Sequence, residues 1–190
     1  MSDGFALSEN ARTQANMIRI GTVVDLDTVT AKVTVRVAGV VTDWLPWITQ
    51  RAGTTRTWNP PRAGEQVLIL APYGDLSQSV VLPSLYQTAY PSPIGATKFQ
   101  DTTIYPDGSV VSYDSQTNAL AITIAGNGNV TINCKTATIT ALTKVELITP
   151  TVHVTGDILA DGDVKAGEIS LKTHKHGGVQ SGGSQTGVPV

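Results

Sequence analysis

The sequence has little with which to build a conventional globular core. Of its 190 residues only two are Met and two are Phe, and aromatics make up 5%. Charged residues are 15%, against about a quarter in ordinary soluble domains. A single cysteine, Cys134, excludes an intrachain disulfide framework. Thirteen Lys+Arg against 15 Asp+Glu leave a net charge of −2. The basic surplus that phosphate-driven binding requires is missing, so no nucleic-acid partner is expected. The longest apolar run, residues 67–71, is far short of the roughly 18 residues of a membrane helix. Residues 1–19 lack the apolar segment of a secretory signal, so synthesis and folding in a cytoplasm are expected. Enzyme signatures are also absent: no P-loop, no dinucleotide fingerprint, no HExxH, no nucleophile elbow. No catalysis is expected.

What is present is β-branched. The chain holds 26 Thr and 21 Val, with 18 Gly and ten Pro for turns, a composition that favours strands. Residues 8–17 suit one or two turns of helix. Residues 20–26 read as a strand and 27–30 as a turn. In residues 31–37, Val33, Val35 and Val37 alternate with Lys32, Thr34 and Arg36, the pattern of a half-buried strand. Further strands are expected at 41–47, 65–70 and 79–82, with a long loop at 50–64. Five or six short strands in about 70 residues predict a small closed barrel. Ala89-Tyr90-Pro91-Ser92-Pro93 marks a joint, and 103–114 reads as a hairpin turning at Pro106-Asp107-Gly108.

From residue 118 the pattern repeats. Leu120, Ile122 and Ile124 alternate with small residues, as do Val130, Ile132 and Cys134, then Ala137, Ile139 and Ala141 in the opposite phase. Val145, Leu147, Val152, Val154, Ile158, Val164, Ile169 and Leu171 continue the series, with Gly and Asp between. This resembles a solenoid, but each rung has only one strand, and one strand encloses nothing. Three chains, each giving one side of a triangular prism, would bury these faces; a monomer would leave an apolar ribbon in water. A homotrimer is therefore expected.

Two of the three histidines are His174 and His176. In an extended chain i and i+2 share a face about 6.8 Å apart, so both rings can point inward while Lys175 points out. One chain offers two ligands; three chains offer six imidazoles, which suit iron or a similar octahedral ion better than four-coordinate zinc. The competing reading is a solvated tail that contains His-Lys-His. Residues 177–190 are either a Gly/Ser tail or a compact reversal ending in Val-Pro-Val. Asp157, Asp161 and Asp163 lack EF-hand spacing and read as turn residues rather than calcium ligands. His153 is expected to face solvent, and Cys134 to be a small buried apolar residue. Arg51, Arg56 and Arg62, with Trp47 and Trp58, suggest a contact surface for a protein or a neighbouring subunit; the net acidity disfavours nucleic acid.

The barrel with Pro60-Pro61-Arg62-Ala63-Gly64-Glu65-Gln66-Val67, the Tyr105-Pro106-Asp107-Gly108-Ser109 segment, the repeats over 158–171 and the His174-Lys175-His176 end occur in an order that resembles the baseplate assembly protein V family. These are the central spikes of contractile phage tails and R-type bacteriocins. The resemblance spans residues 17–190. It implies an all-β fold: an N-terminal OB-fold barrel, then an intertwined trimeric triple-stranded β-helix ending in a pointed metal-binding apex. The corresponding boundaries are an N-terminal arm at 1–16, the OB-fold domain at 17–90, a connecting hairpin region at 91–117, the β-helix at 118–172 and the apex at 173–190. It further implies one iron per trimer held by His174 and His176 of each chain, with no motif fixing further calcium or chloride sites. Baseplate hub or tail tube proteins would bind the OB domain, and the tip would meet the bacterial outer membrane transiently. The place of action would be a virion or bacteriocin particle, after synthesis in a bacterial cytoplasm. Sheath contraction would drive the tip through the membrane mechanically, since nothing between barrel and helix has room for a lysozyme domain. The alternative is a trimeric receptor-binding or adhesion fibre, but the last 14 residues hold no aromatic with which to build a binding head.

Overall fold

The computed structural model describes residues 2–178 and 182–183. Contacts divide the chain into two units, one running to Ile132 and the other from Asn133.

The first unit opens with helix α1 (Ser2–Met17), longer than the turn or two expected from its sequence and replacing a plain arm. Ala6, Leu7, Ala11, Gln14 and Ala15 are good helix formers, and Arg12 pairs with Glu9 one turn away at 2.5 Å. The helix rests on the 3₁₀ turn Pro72–Gly74. A Cβ at Gly74 would sit 3.0 Å from the Thr13 carbonyl oxygen, and its φ is +72°, so glycine serves both the turn and the approach.

The barrel comprises β1 (Ile18–Asp27), β2 (Lys32–Val37), β3 (Val40–Val41), β4 (Leu45–Pro46), β5 (Gln66–Leu70) and β6 (Val80–Leu85). β1 pairs antiparallel with β2 and with β5, and β5 with β6. The ring closes where β4 pairs with β2, a parallel bridge joins Trp47 to Val81, and the Ile48 N–H donates to the Val81 carbonyl at 2.8 Å. The β1–β2 turn is held by Asp27, whose carboxylate accepts from the Val29 N–H at 2.8 Å and from the Thr30 hydroxyl. These bonds, the Thr30 hydroxyl's foremost, hold the Asp27 carboxyl below its ordinary pKa.

The barrel core consists of Val23, Val33, Val35, Val37, Leu45, Val67, Ile69 and Val81, with Leu26, Trp47 and Leu76 against it. Valine dominates because the interior of so small a ring is narrow. Gly21 supplies the remaining space: a Cβ there would meet the Val35 Cγ1 at 2.5 Å, the Arg36 carbonyl oxygen at 3.0 Å and the Val37 Cγ2 at 3.1 Å.

The outer face of the same sheet carries apolar rows that were not apparent from the sequence. Ile18 lies beside Leu70 and Leu70 beside Val80, while Ile20 lies beside Leu68 and Leu68 beside Leu82. Ile18 and Ile20 are more than half exposed. Ordinary barrels put polar residues there.

Beyond the barrel, β7 (Gln100–Ile104), β8 (Val110–Asp114) and β9 (Ala119–Thr123) form an antiparallel sheet. The β7–β8 turn is at Pro106-Asp107-Gly108, as the sequence predicts. Asp107 accepts from the Ser109 N–H and hydroxyl at 3.0 and 2.8 Å, which hold its carboxyl below the ordinary range. The Ser109 hydroxyl oxygen in turn accepts from the Ala125 N–H at 3.0 Å. Leu120 and Ile122, grouped by alternation with the repeats, lie in β9 and pair with β8. Alternation alone does not say which strand is the partner.

Gly21→Val should force Val35 and Val37 off their rotamers and destabilise the barrel by about 1–3 kcal/mol, read by urea unfolding with tryptophan fluorescence. Gly53→Ala, where an added Cβ meets nothing within 4 Å, should leave the midpoint unchanged. Equal effects from the two would contradict this packing.

Candidate functional site

Between β9 and β10 (Lys165–Ala166) no residue is in a strand. Residues 126–169 are all exposed. Val130, Ile132, Ile139, Leu147 and Ile158 are each two-thirds or more exposed. Lys144 and Glu146 pair at 2.9 Å, with Val145 and Leu147 exposed beside them. Cys134, expected to be buried, is exposed within the single chain; it continues the phase of Val130 and Ile132, and those are uncovered too. His153 is exposed, as expected.

The C-terminal unit contains a small fixed structure. β10 pairs with β11 (Ile169–Ser170) across Gly167, whose φ is +59°. The Leu171 N–H donates to the Val164 carbonyl at 2.9 Å, and the Lys172 N–H to the Asp163 carboxylate at 3.2 Å. Ser170, the buried residue of this hairpin, holds Thr173 and His174 in place. Its hydroxyl oxygen accepts from the Thr173 N–H at 3.0 Å. Its carbonyl accepts from the His174 N–H at 3.1 Å and lies 2.8 Å from His174 Nδ1. A carbonyl oxygen only accepts, so Nδ1 carries a proton, and in the neutral ring Nε2 keeps its lone pair. A carbonyl bound to one ring nitrogen is the usual way to aim the other at a metal.

His176 lies beside His174, ring centroids 5.1 Å apart at 72°. The structure thus brings together the two histidines that the spacing singled out. The Ser170 carbonyl that fixes His174 is a backbone partner, which no side-chain pattern in the sequence reports. Among the described residues no group of three His, Cys, Asp or Glu could hold a metal ion. One chain therefore offers two imidazoles, and Asp157, Asp161 and Asp163 do not gather into a site. Of the Gly-rich end, residues 179–181 and 184–190 lie outside the described residues, and the choice between tail and compact reversal falls there.

Comparison with known proteins gives three concordant matches. Residues 19–86 match the family described as the type VI secretion system/phage-baseplate injector OB domain. Residues 169–190 match the GpV apex motif. Across nearly its whole length the chain is 37% identical to the spike protein of Escherichia phage P2, with 97% of each chain covered. The OB match coincides with the closed barrel, and the apex match begins at β11 and includes His174 and His176. With these matches and an all-β fold in the same order, the chain belongs to the family of phage baseplate spike proteins.

Proposed function

We propose that this chain is the membrane-piercing tip of a contractile tail, a homotrimer that acts mechanically and without catalysis when sheath contraction drives it through the bacterial outer membrane. Family membership makes it a structural component of a phage tail. The observation that carries the finer reading is the stretch 126–164, which lies in no strand among the described residues and leaves its Val, Ile and Leu side chains exposed. Ordering one residue costs roughly 1–2 kcal/mol. A lone strand regains neither a hydrogen-bonded ladder nor burial, so this segment needs other chains. Two further copies would supply both and put Val130, Ile132 and Cys134 on a shared axis. The exposed Ile18, Ile20 and Leu82 of the barrel, with the half-buried Leu68 between them, favour neighbouring copies there as well. A shaft made this way has no single strand free to peel under load.

The apex fits the same reading. His174, fixed through Nδ1 with Nε2 available, and His176 beside it form one chain's share of a donor set that suits iron once three copies supply six imidazoles. The ion would tie the three chains where fraying would otherwise begin. The OB domain would seat on a baseplate hub or tail tube protein, in a virion or a bacteriocin particle.

Two outcomes test this proposal. Elemental analysis of the purified protein should give one iron per three chains, absent from His174→Ala/His176→Ala; equal iron in that variant would place the metal elsewhere. Particles carrying the variant should adsorb to cells normally yet permeabilise the outer membrane several-fold less, read by uptake of a hydrophobic dye. Lost adsorption would instead favour a receptor-binding fibre.

A further inference from the structure

The loop between β4 and β5 carries a cleft of about 510 Å³. Trp47 and Trp58 form its aromatic wall, edge to face with centroids 5.4 Å apart. Ala31 and Ala52 complete the apolar lining, and Arg51 and Arg56 stand at its rim. No carboxylate lines it. Neither guanidinium makes an ion pair or a side-chain hydrogen bond among the described residues.

The cleft is held open by its own backbone. The Thr57 N–H donates to the Arg51 carbonyl at 3.0 Å, and the Gly53 N–H to the Thr55 carbonyl at 3.1 Å. Ala52 bridges Arg56 antiparallel, and the Thr49 and Thr57 hydroxyls lie 2.9 Å apart. Trp47 is anchored in the barrel, packed on the core and bridged to Val81, whereas Trp58 is 58% exposed. Preformed aromatic surface with little entropy left to lose, next to unpaired arginines, is the composition of interface hot spots.

We propose that this cleft binds an acidic segment of another tail protein, one that sets an apolar side chain against Trp47 and Trp58 and carboxylates on Arg51 and Arg56. Charge complementarity selects this occupant: two unpaired cations close together, no carboxylate between them, in a chain of net charge −2. Arginine presents a planar fork that takes a carboxylate through two hydrogen bonds. The inference rests on the tail-spike reading above and names the surface by which the OB domain is seated.

The test uses assembled particles. With Ala52→benzoylphenylalanine in the full-length protein, irradiation and mass spectrometry should identify a cross-link to a Glu- or Asp-rich segment of a different tail protein. Arg51→Gln/Arg56→Gln, which keeps the loop's backbone bonds, should abolish that cross-link and lower the copies of this chain per particle by about tenfold or more. A cross-link to a second copy of this chain, or to nucleic acid, would overturn the inference, as would unchanged copy number in the double variant. Ala52→benzoylphenylalanine protein present in particles with no cross-link at all would overturn the inference alone. Wild-type protein missing from particles would overturn the tail-spike reading with it.

Discussion

A long stretch, residues 126–164, that lies in no strand among the described residues governs this protein. A single β-strand leaves N–H and C=O groups unpaired on both edges and side chains on two faces. Residues 126–164 leave Val130, Ile132, Ile139, Leu147 and Ile158 exposed in the single chain. The N-terminal barrel does not share this difficulty, since its ring closes through Trp47, Ile48 and Val81. The chain thus joins a closed barrel to a segment that lies in no strand among the described residues. On the barrel's outer sheet face Ile18 and Ile20 are more than half exposed as well.

Much of this was legible in the sequence. Alternation of Val33, Val35 and Val37 gave the core side of β2 directly, because period two is fixed by strand geometry. The turn at Pro106-Asp107-Gly108 came from residue types whose side chains bond their own backbone. The His174/His176 pair came from spacing. Other features were not legible for physical reasons. Helix α1 has weak amphipathy, and its length comes from local propensity and from docking on the turn that contains Gly74. β9 carries the same alternation as the repeats, and only pairing distinguishes the two. The role of Gly21 depends on Val35 and Val37 across the sheet, a contact between residues remote in sequence. The tautomer of His174 depends on a backbone carbonyl, to which side-chain patterns are blind.

The three parts differ in what stabilises them. The barrel relies on close packing of small side chains, so a single added methyl group matters. The hairpin sheet relies on turn chemistry, with Asp107 and Ser109 bonding across the loop. The apex relies on one buried serine that fixes a histidine, leaving a nitrogen lone pair free for a ligand. None of these arrangements covers residues 126–164.

Two further copies of the same chain would cover that segment, and a native mass spectrum of the purified protein tests this most directly. A homotrimer predicts a species of about 60 kDa, three times 19.9 kDa. A folded species at the mass of one chain, with the segment 126–164 still ordered, would contradict it.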